Sequence, residues 1–347
     1  MTERLPLKPE GEEGEARPEF ELFLAIPRSE EWALLKGSLF AARELRELKE
    51  QPHGLDLKAA HFVEVDPKSG APETILEWKT DEKNAEGKEV PPSVFLRPGK
   101  EYFVLLNPLL RESYDRSKFV LHLLPRSSLL RAGVVAEEST FFGTEDEAIR
   151  ESLGSWFDAY YDGRQGAFRI FIANPNGVEV EDLAPVVQVV PERIPKDEIV
   201  ARTQEAFLLE REQEKRTPLF LGGVSEFLPV RPKIATDPEK SQLKVTQPMA
   251  SDDTAFHLRK DVPYLLETAE EVSLSAHEVG LTRAFASHEN IAAYGDALVD
   301  AGYHGKLTYL VIPKEDIVLR RGDAISYLLK VNVPTTSKPY SGHWGKK

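Results

Sequence analysis

The chain has 347 residues, 41% of them hydrophobic and 9% aromatic, so its length favours two domains that can each bury a core. Its formal net charge of −14 argues against a nucleic-acid partner, because proteins that bind a polyphosphate backbone present a basic surface. The sequence contains no cysteine, which excludes disulfides, thiolate nucleophiles and cysteine-ligated metals.

The composition also bears on where the protein works. No apolar run approaches the ~18 residues of a membrane span, so we expect no membrane partner. Residues 1–19 are rich in Glu and Pro, which predicts a disordered acidic tail rather than an export signal. With no cysteine to protect or oxidise, the sequence is typical of a cytoplasmic protein.

The elements predicted after the tail are short. Residues 20–26 form a strand pattern, and two helical patterns follow over residues 29–37 and 38–50. Strands separated by turn residues are then predicted at 55–65, 74–78, 93–97, 102–107 and 118–124. An acidic segment from Glu137 to Ser155 predicts an inserted helix or lid. This pattern indicates an all-β fold with a few short helices, either a barrel or a sandwich.

The second half of the chain repeats the first in weaker form. A charged helical pattern over residues 195–216 predicts a helical linker between two domains. The segments 256–266, 300–305 and 317–325 echo, in this order, the segments 95–104, 158–163 and 178–186. A tandem duplication explains these echoes better than coincidence does.

One turn in the first half carries the clearest chemical signal. The predicted strand at 118–124 ends in Pro125-Arg126-Ser127-Ser128, and a helix pattern follows. Ser127 or Ser128 can cap this helix, and its first N–H groups, two hydroxyls and one guanidinium are suited to binding a phosphate. Taken alone, such a turn is more often a helix cap with a surface arginine.

Three further segments favour phosphate binding over a simple helix cap at this turn. They are Gln51-Pro-His-Gly-Leu-Asp56-Leu, Asp158-Ala-Tyr-Tyr161-Asp-Gly163, and a hydrophobic strand that ends in Gln188. In order and spacing, the four segments resemble the motifs of the dUTPase and dCTP deaminase superfamily. The two-repeat length is similar to that of the long form grouped with bacterial dCTP deaminases.

The resemblance implies tandem dUTPase-like β-barrels of the distorted jelly-roll kind. We expect one barrel with all four motifs over residues 20–194, the linker at 195–216, and a second, degenerate barrel over 217–347. In this family sites form between three subunits, so the resemblance also implies a homo-oligomer, namely a trimer.

The resemblance assigns roles to the first-repeat residues. Arg126, Ser127 and Ser128 would bind phosphates, while Asp56 and Gln188 would position phosphates or the water bound to Mg²⁺. The magnesium would be held through phosphates and water near Asp56, without direct protein ligands.

The third motif supplies the chemistry. Asp158 would activate the attacking water, and Tyr161 would lie against a deoxyribose. The second repeat keeps a copy of this motif, in which Asp300 and Tyr303 would complete a site whose phosphate-binding parts come from the first repeat.

The rest of the second repeat departs from the motifs. When residues 281–284 are laid over 129–132, His277 to Gly280 fall opposite the Pro-Arg-Ser-Ser turn, and Tyr327 falls opposite Gln188. No equivalent of residues 51–57 is visible near 215–230. At the end of the chain, the segment with Trp344 is similar to a lid in which the indole stacks on a base, although a frayed terminus is an equal alternative.

Three functions remain open at this stage. The first is a dUTP diphosphatase that makes dUMP and pyrophosphate. The second is a dCTP deaminase, perhaps bifunctional; its family places a Glu at a position that falls on Phe171 here and near Leu310 in the second repeat, and neither can move a proton. The third is a nucleotide-binding protein with eroded catalysis. In each case the partner is a deoxynucleoside triphosphate, dUTP or dCTP.

Overall fold

The computed structural model of the chain describes residues 37, 40, 50–51, 54–79, 91–107, 119–136, 139–140, 166–193, 216–237, 240–251, 255–284, 290–295 and 297–332. The predicted acidic tail, the predicted strand at 20–26 and the C-terminal segment lie outside these residues. Most of the two N-terminal helical patterns and most of the 195–216 linker lie outside them as well. Among the described residues, no helix has the length and apolarity needed to cross a bilayer.

The first half is built from antiparallel strands. Their bounds are β1 (Glu50–Gln51), β2 (Gly54–Val65), β3 (Pro72–Ile75), β4 (Ser93–Leu96), β5 (Glu101–Asn107), β6 (Phe119–Pro125), β7 (Val134–Ala136), β8 (Ser139–Thr140), β9 (Ala167–Ile172), β10 (Val178–Glu181) and β11 (Pro185–Arg193). A helix of five residues, α1 (Ser127–Arg131), follows β6. The large sheet runs β7, β9, β5, β2, β11, β6, β8, and β4 pairs with β10 in a smaller sheet.

The second half has the same design. Its strands are β12 (Thr217–Phe227), β13 (Lys233–Ile234), β14 (Thr246–Pro248), β15 (Ala255–Leu258), β16 (Tyr264–Thr268), β17 (Val272–Ser273), β18 (Glu278–Ala284), β19 (Ile291–Tyr294), β20 (Ala297–Val299), β21 (His304–Gly305), β22 (Thr308–Pro313), β23 (Ile317–Arg320) and β24 (Ala324–Asn332). The large sheet runs β19, β22, β16, β12, β24, β18, β20, and β15 pairs with β23.

The two large sheets therefore match strand for strand, and individual residues match within them. Tyr102 pairs with Ile170, and its hydroxyl accepts a hydrogen bond from the Arg97 amide at 2.9 Å. Tyr264 pairs with Val311, and its hydroxyl accepts one from the Arg259 amide at 3.0 Å. Both tyrosines are fully buried. The predicted all-β fold, with two equivalent barrels in tandem, is confirmed.

The two barrels share an apolar boundary. Val190 of β11 is buried in one cluster with Val279 and Leu281 of β18 and with Leu329 and Val331 of β24. A face of the first large sheet therefore packs on the equivalent face of the second. Burial of apolar surface is the main favourable term in such packing, so this cluster helps to fix how the barrels meet.

A strand from the second half also joins the small sheet of the first. β13 pairs in parallel with β10, and Nζ of Lys233 lies 3.0 Å from Oε1 of Glu179 and 3.1 Å from Oε1 of Glu181. The guanidinium of Arg231 lies over the Phe95 ring, 4.1 Å from its centroid. We call this β13–β10 contact the clasp. The sequence offered no signal for it, since a two-residue strand is too short to show a period.

The structure corrects three predicted elements. Glu50, predicted as the end of a helix, lies in β1, where it pairs with Leu55 of β2. Ser139 and Thr140, predicted within an inserted helix or lid, form β8 beside β6. The cap of α1 is Arg126 rather than a serine: Arg126 is extended, with φ −69° and ψ 141°, and its side chain makes no capping hydrogen bond.

Candidate active site

Two cross-strand partners form the centre of the site. Asp56 on β2 and Gln188 on β11 stand opposite each other, and Leu124 of β6 pairs with Gln188 from the other side. Arg126 follows β6, and its amide donates to the Val186 carbonyl at 3.0 Å. Three of the four motif segments are thus brought together by the hydrogen-bond register of three adjacent strands.

Arg126 and Asp56 form an ion pair. Nη1 of Arg126 lies 3.1 Å from Oδ1 of Asp56, and the Asp56 side chain is only 3% exposed, against 22% for Arg126. A buried carboxylate needs such a cation, because an uncompensated charge is costly away from water. The pair holds the Arg126 guanidinium beside Asp56, and Arg126 also lines the cavity described below.

Gln188 connects the two repeats. Its Oε1 accepts a hydrogen bond of 3.4 Å from Nη1 of Arg126, and its Nε2 donates one of 3.4 Å to Oδ1 of Asp300. Asp300 follows β20 in the second repeat, so the bridge crosses from one barrel to the other. The amide orientation follows from its partners, since a cation can bond only to the oxygen and a carboxylate only to the nitrogen.

Asp300 is a carboxyl group of the site whose pKa is shifted. It is only 6% exposed. Burial raises its pKa to about 6, even though the charge of Arg126 and the hydrogen bond from Gln188 act in the opposite direction; the negative charge of Asp56 adds to the increase. A carboxyl group with such a pKa changes protonation state close to neutral pH, as a general acid or base requires.

A cavity of about 390 Å³ opens beside this network, between the two barrels. The first repeat contributes Leu124, Pro125, Arg126, Ser127, Leu129, Leu130, Arg131, Val134, Ala136 and Gln188. The second repeat contributes Thr282, Ala293, Tyr294, Gly295, Leu298, Val299, Asp300, Tyr303, Lys306, Leu307, Thr308 and Tyr309. Cavities with mostly apolar walls and a few converging polar groups are typical of small-molecule sites.

The other predicted residues have different positions. Ser127 is exposed and lines the cavity, whereas Ser128 is half-buried and does not line it. Tyr303 lines the cavity but is only 6% exposed, and its hydroxyl donates to the Lys306 carbonyl at 2.7 Å. Asp158, Tyr161 and Trp344 lie outside the described residues, so their roles stay predictions.

The cavity also contains cations that the motif comparison did not single out. Arg131, in the last turn of α1, belongs to the same sequence motif as Arg126 and could have been found there. Lys306 lies beyond the third-motif copy of the second repeat, and only the folded chain reveals that it reaches the cavity.

The second repeat has no Asp and Gln at the positions that correspond to Asp56 and Gln188. Tyr327 pairs with Pro218, as Gln188 pairs with Asp56, which agrees with the predicted alignment of Tyr327 with Gln188. The predicted absence of a first-motif equivalent needs refinement: β12 supplies the strand, but Pro218 stands in place of Asp56.

The predicted alignment of residues 281–284 with 129–132 was wrong. Ala284 pairs with Ser326 as Pro125 pairs with Val187, so β18 corresponds to β6 and the residue after Ala284 corresponds to Arg126. That residue is Phe285, which lies outside the described residues. The sequence alignment failed because short apolar stretches match in several registers, whereas strand pairing permits one.

The register also identifies the second-repeat counterpart of Phe171, the position on which the motif resemblance places the Glu of the deaminases. Tyr102 pairs with Ile170 as Tyr264 pairs with Val311, so Phe171, the residue after Ile170, corresponds to Ile312 rather than to Leu310. Phe171 and Ile312 pack in an apolar cluster that includes Leu310. None of the three carries a carboxylate.

A magnesium ion has no ready-made set of protein ligands in this part of the chain. In the described residues, no three His, Asp or Glu side chains gather into a group that could hold a metal. Asp56, the carboxylate nearest the predicted magnesium position, already pairs with Arg126. These described residues do not fit a directly ligated ion.

Comparison with known proteins defines the class of fold. No protein-family model matches the chain, and no curated protein matches it in sequence. Among solved structures it is similar to 2′-deoxycytidine 5′-triphosphate deaminase from Agrobacterium tumefaciens, with a TM-score of 0.58 and 13% identity over 90% of this chain and 96% of that chain. The resemblance drawn from the motifs is therefore confirmed at the level of the fold.

Proposed function

We propose that the chain is an enzyme of deoxynucleoside triphosphate metabolism, and specifically a dUTP diphosphatase that hydrolyses dUTP to dUMP and pyrophosphate. One observation carries the proposal: Asp300 of the second repeat and Arg126 of the first meet at the same amide, Gln188, on the wall of one cavity. A potential base and a potential phosphate-binding cation are thus joined in a single network.

Asp300 is the proposed base. Ionised Asp300 accepts a proton from a water molecule, whose oxygen attacks the α-phosphorus while the bond from that phosphorus to the bridging oxygen breaks and pyrophosphate leaves. The base must be ionised and must lie near the cation that binds phosphate. The N–H of Gln188 favours the ionised form of Asp300, and the same amide links Asp300 to Arg126.

The reaction also requires that the negative charge on the phosphate oxygens be stabilised. Arg126 supplies a guanidinium held by Asp56, and Ser127 supplies a hydroxyl at the cavity wall. We propose that Mg²⁺ enters with the triphosphate, where it would neutralise further phosphate charge. Asp56 would then contact it only through water.

The second candidate is a dCTP deaminase. It is favoured by the structural likeness to the Agrobacterium tumefaciens enzyme over 90% of this chain. Against it stand Phe171 and Ile312 at the positions where a proton-transferring Glu is expected. If the chain deaminates dCTP, Asp300 is the group on the described cavity wall whose pKa suits proton transfer at the base.

A screen of the four common deoxynucleoside triphosphates and dUTP tests these proposals. We expect pyrophosphate release from dUTP and no ammonia release from dCTP. Release of ammonia from dCTP would contradict the diphosphatase proposal and support the deaminase. Binding measured by calorimetry without either product would favour an eroded nucleotide-binding protein.

A further inference from the structure

We propose that Lys306 binds the outermost phosphate of the substrate and that Glu267 is the counter-ion that this phosphate displaces. The pair would then set the preference for a triphosphate over a diphosphate. This inference rests on the proposed nucleotide function and adds to it two residues that no sequence motif singled out.

Lys306 is a basic residue that lines the cavity from the second repeat, whereas Arg126 lines it from the first. Nζ of Lys306 lies 3.1 Å from Oε1 of Glu267, and the two side chains are 38% and 54% exposed. Lys306 thus belongs to the cavity wall, and its side chain is partly exposed to solvent.

The backbone that carries Lys306 is held in place. Its carbonyl accepts the hydrogen bond from the Tyr303 hydroxyl at 2.7 Å. The amide of the next residue, Leu307, donates to Oγ1 of the buried Thr268 at 3.1 Å, and the Thr268 amide donates to the Leu307 carbonyl at 3.0 Å. Only the outer part of the Lys306 side chain is left to respond to a ligand.

The two ion pairs of the cavity differ in strength. Arg126 is paired with a carboxylate that is 3% exposed, whereas the partner of Lys306 is more than half exposed. Exposed ion pairs contribute little because water and salt screen them. A phosphate oxygen can therefore displace Glu267 from Lys306 far more easily than it could displace Asp56 from Arg126.

The charge of the chain makes such a lysine consequential. A protein with a net charge of −14 repels a polyanion, so a local cation at the cavity edge offsets part of that repulsion. The contribution of Lys306 to binding should increase with the negative charge of the ligand and with the distance that its phosphate chain extends toward the edge of the cavity. A triphosphate should therefore depend on Lys306 more than a diphosphate, and a monophosphate least.

Calorimetric binding of dUTP (used as its non-hydrolysable α,β-imido analogue), dUDP, dUMP and inorganic tripolyphosphate to Lys306→Gln and Glu267→Gln tests the assignment. We expect Lys306→Gln to weaken dUTP and tripolyphosphate about tenfold and dUDP about threefold, as for loss of one charge-assisted contact, and to leave dUMP unchanged. Glu267→Gln should strengthen dUTP binding about twofold, because it removes a competing carboxylate.

Lys240→Gln is the matched control, since Lys240 forms an exposed pair with Asp237, 3.7 Å away, and does not line the cavity. The assignment is overturned if the ratio of dUTP affinity to dUDP affinity is the same in Lys306→Gln as in Lys240→Gln. If the wild type binds no nucleotide but its tripolyphosphate affinity falls in Lys306→Gln, the anion site stands and the nucleotide function fails. If the wild type binds none of these ligands, both fail.

Discussion

Gln188 and Asp300 belong to different repeats, yet Nε2 of Gln188 lies 3.4 Å from Oδ1 of Asp300. The same amide accepts a hydrogen bond from Arg126, so Gln188 links the second repeat to the turn at Arg126 in the first. The second repeat has lost its own cross-strand pair of Asp and Gln, and it retains instead the residue that completes the other repeat's network.

The first prediction concerns the pH dependence of turnover. Asp300 acts as a base only when it is ionised, and its pKa is raised to about 6, so turnover should rise with pH through that region and then level. Gln188→Leu removes the N–H that favours the ionised form, and the acid limb should move to higher pH. A pH profile of kcat/KM for both proteins measures this; superimposable acid limbs would contradict the role of the bridge.

The second prediction concerns stability. The folded-state pKa of Asp300 lies above its ordinary value of 3.8, so the folded protein retains a proton that the unfolded chain releases between these values. The stability that this proton supports is complete below about pH 4 and is lost as pH rises through about 6. Asp300→Asn, which cannot ionise, should be more stable than wild type at pH 8, by on the order of 2–3 kcal/mol.

At pH 4 the same two proteins should unfold alike, apart from the small effect of exchanging a hydroxyl for an amide. Thermal unfolding at both pH values is the measurement. An equal difference in melting temperature at pH 4 and pH 8 would mean that Asp300 does not titrate in the buried position described here.

The third prediction separates the partners of the Arg126–Asp56 pair. Arg126→Ala leaves a carboxylate that is 3% exposed without its guanidinium, whereas Asp56→Ala leaves an arginine that is 22% exposed and can turn toward water. Arg126→Ala should therefore destabilise the fold more, by roughly 2–4 kcal/mol, and adding Asp56→Ala should restore part of the loss. Denaturant unfolding of the single and double variants tests this order, and the reverse order would contradict it.

The fourth prediction concerns the clasp. Lys233 lies between two carboxylates of β10, so Lys233→Gln leaves these like charges together and should lower stability by about 1–2 kcal/mol. The residue does not line the cavity, so the KM of the folded variant should not change. Lys240→Gln is again the control and should leave the melting temperature unaltered. A large change in KM would show that the clasp sets the position of the cavity walls.

Much of this fold was accessible from the sequence. Alternating apolar residues marked most of the first-half strands, and the paired echoes around Tyr102 and Tyr264 revealed the duplication. The turn at Arg126, which we propose binds phosphate, was singled out from the sequence only because three other motif-like segments accompany it in order and spacing.

The meeting of the repeats was harder to predict. Whether Asp300 contacts Gln188 depends on how the apolar faces of the two large sheets pack on each other. Val190 and Leu329 belong to this packing, and no local sequence pattern specifies it. The reach of Lys306 into the cavity has the same origin. The clasp was invisible because Lys233 and Ile234 form too short a strand for any periodicity.

The central claim is that one chain supplies both halves of the site, Arg126 from its first repeat and Asp300 from its second. Co-expression of Arg126→Gln and Asp300→Asn chains, followed by assay of dUTP turnover, tests it most directly. Each variant alone should be inactive, and the mixture should stay inactive, because every chain then carries one defective half. Recovery of turnover in the mixture would show that neighbouring chains share their sites, and turnover by Asp300→Asn alone would remove Asp300 as the base.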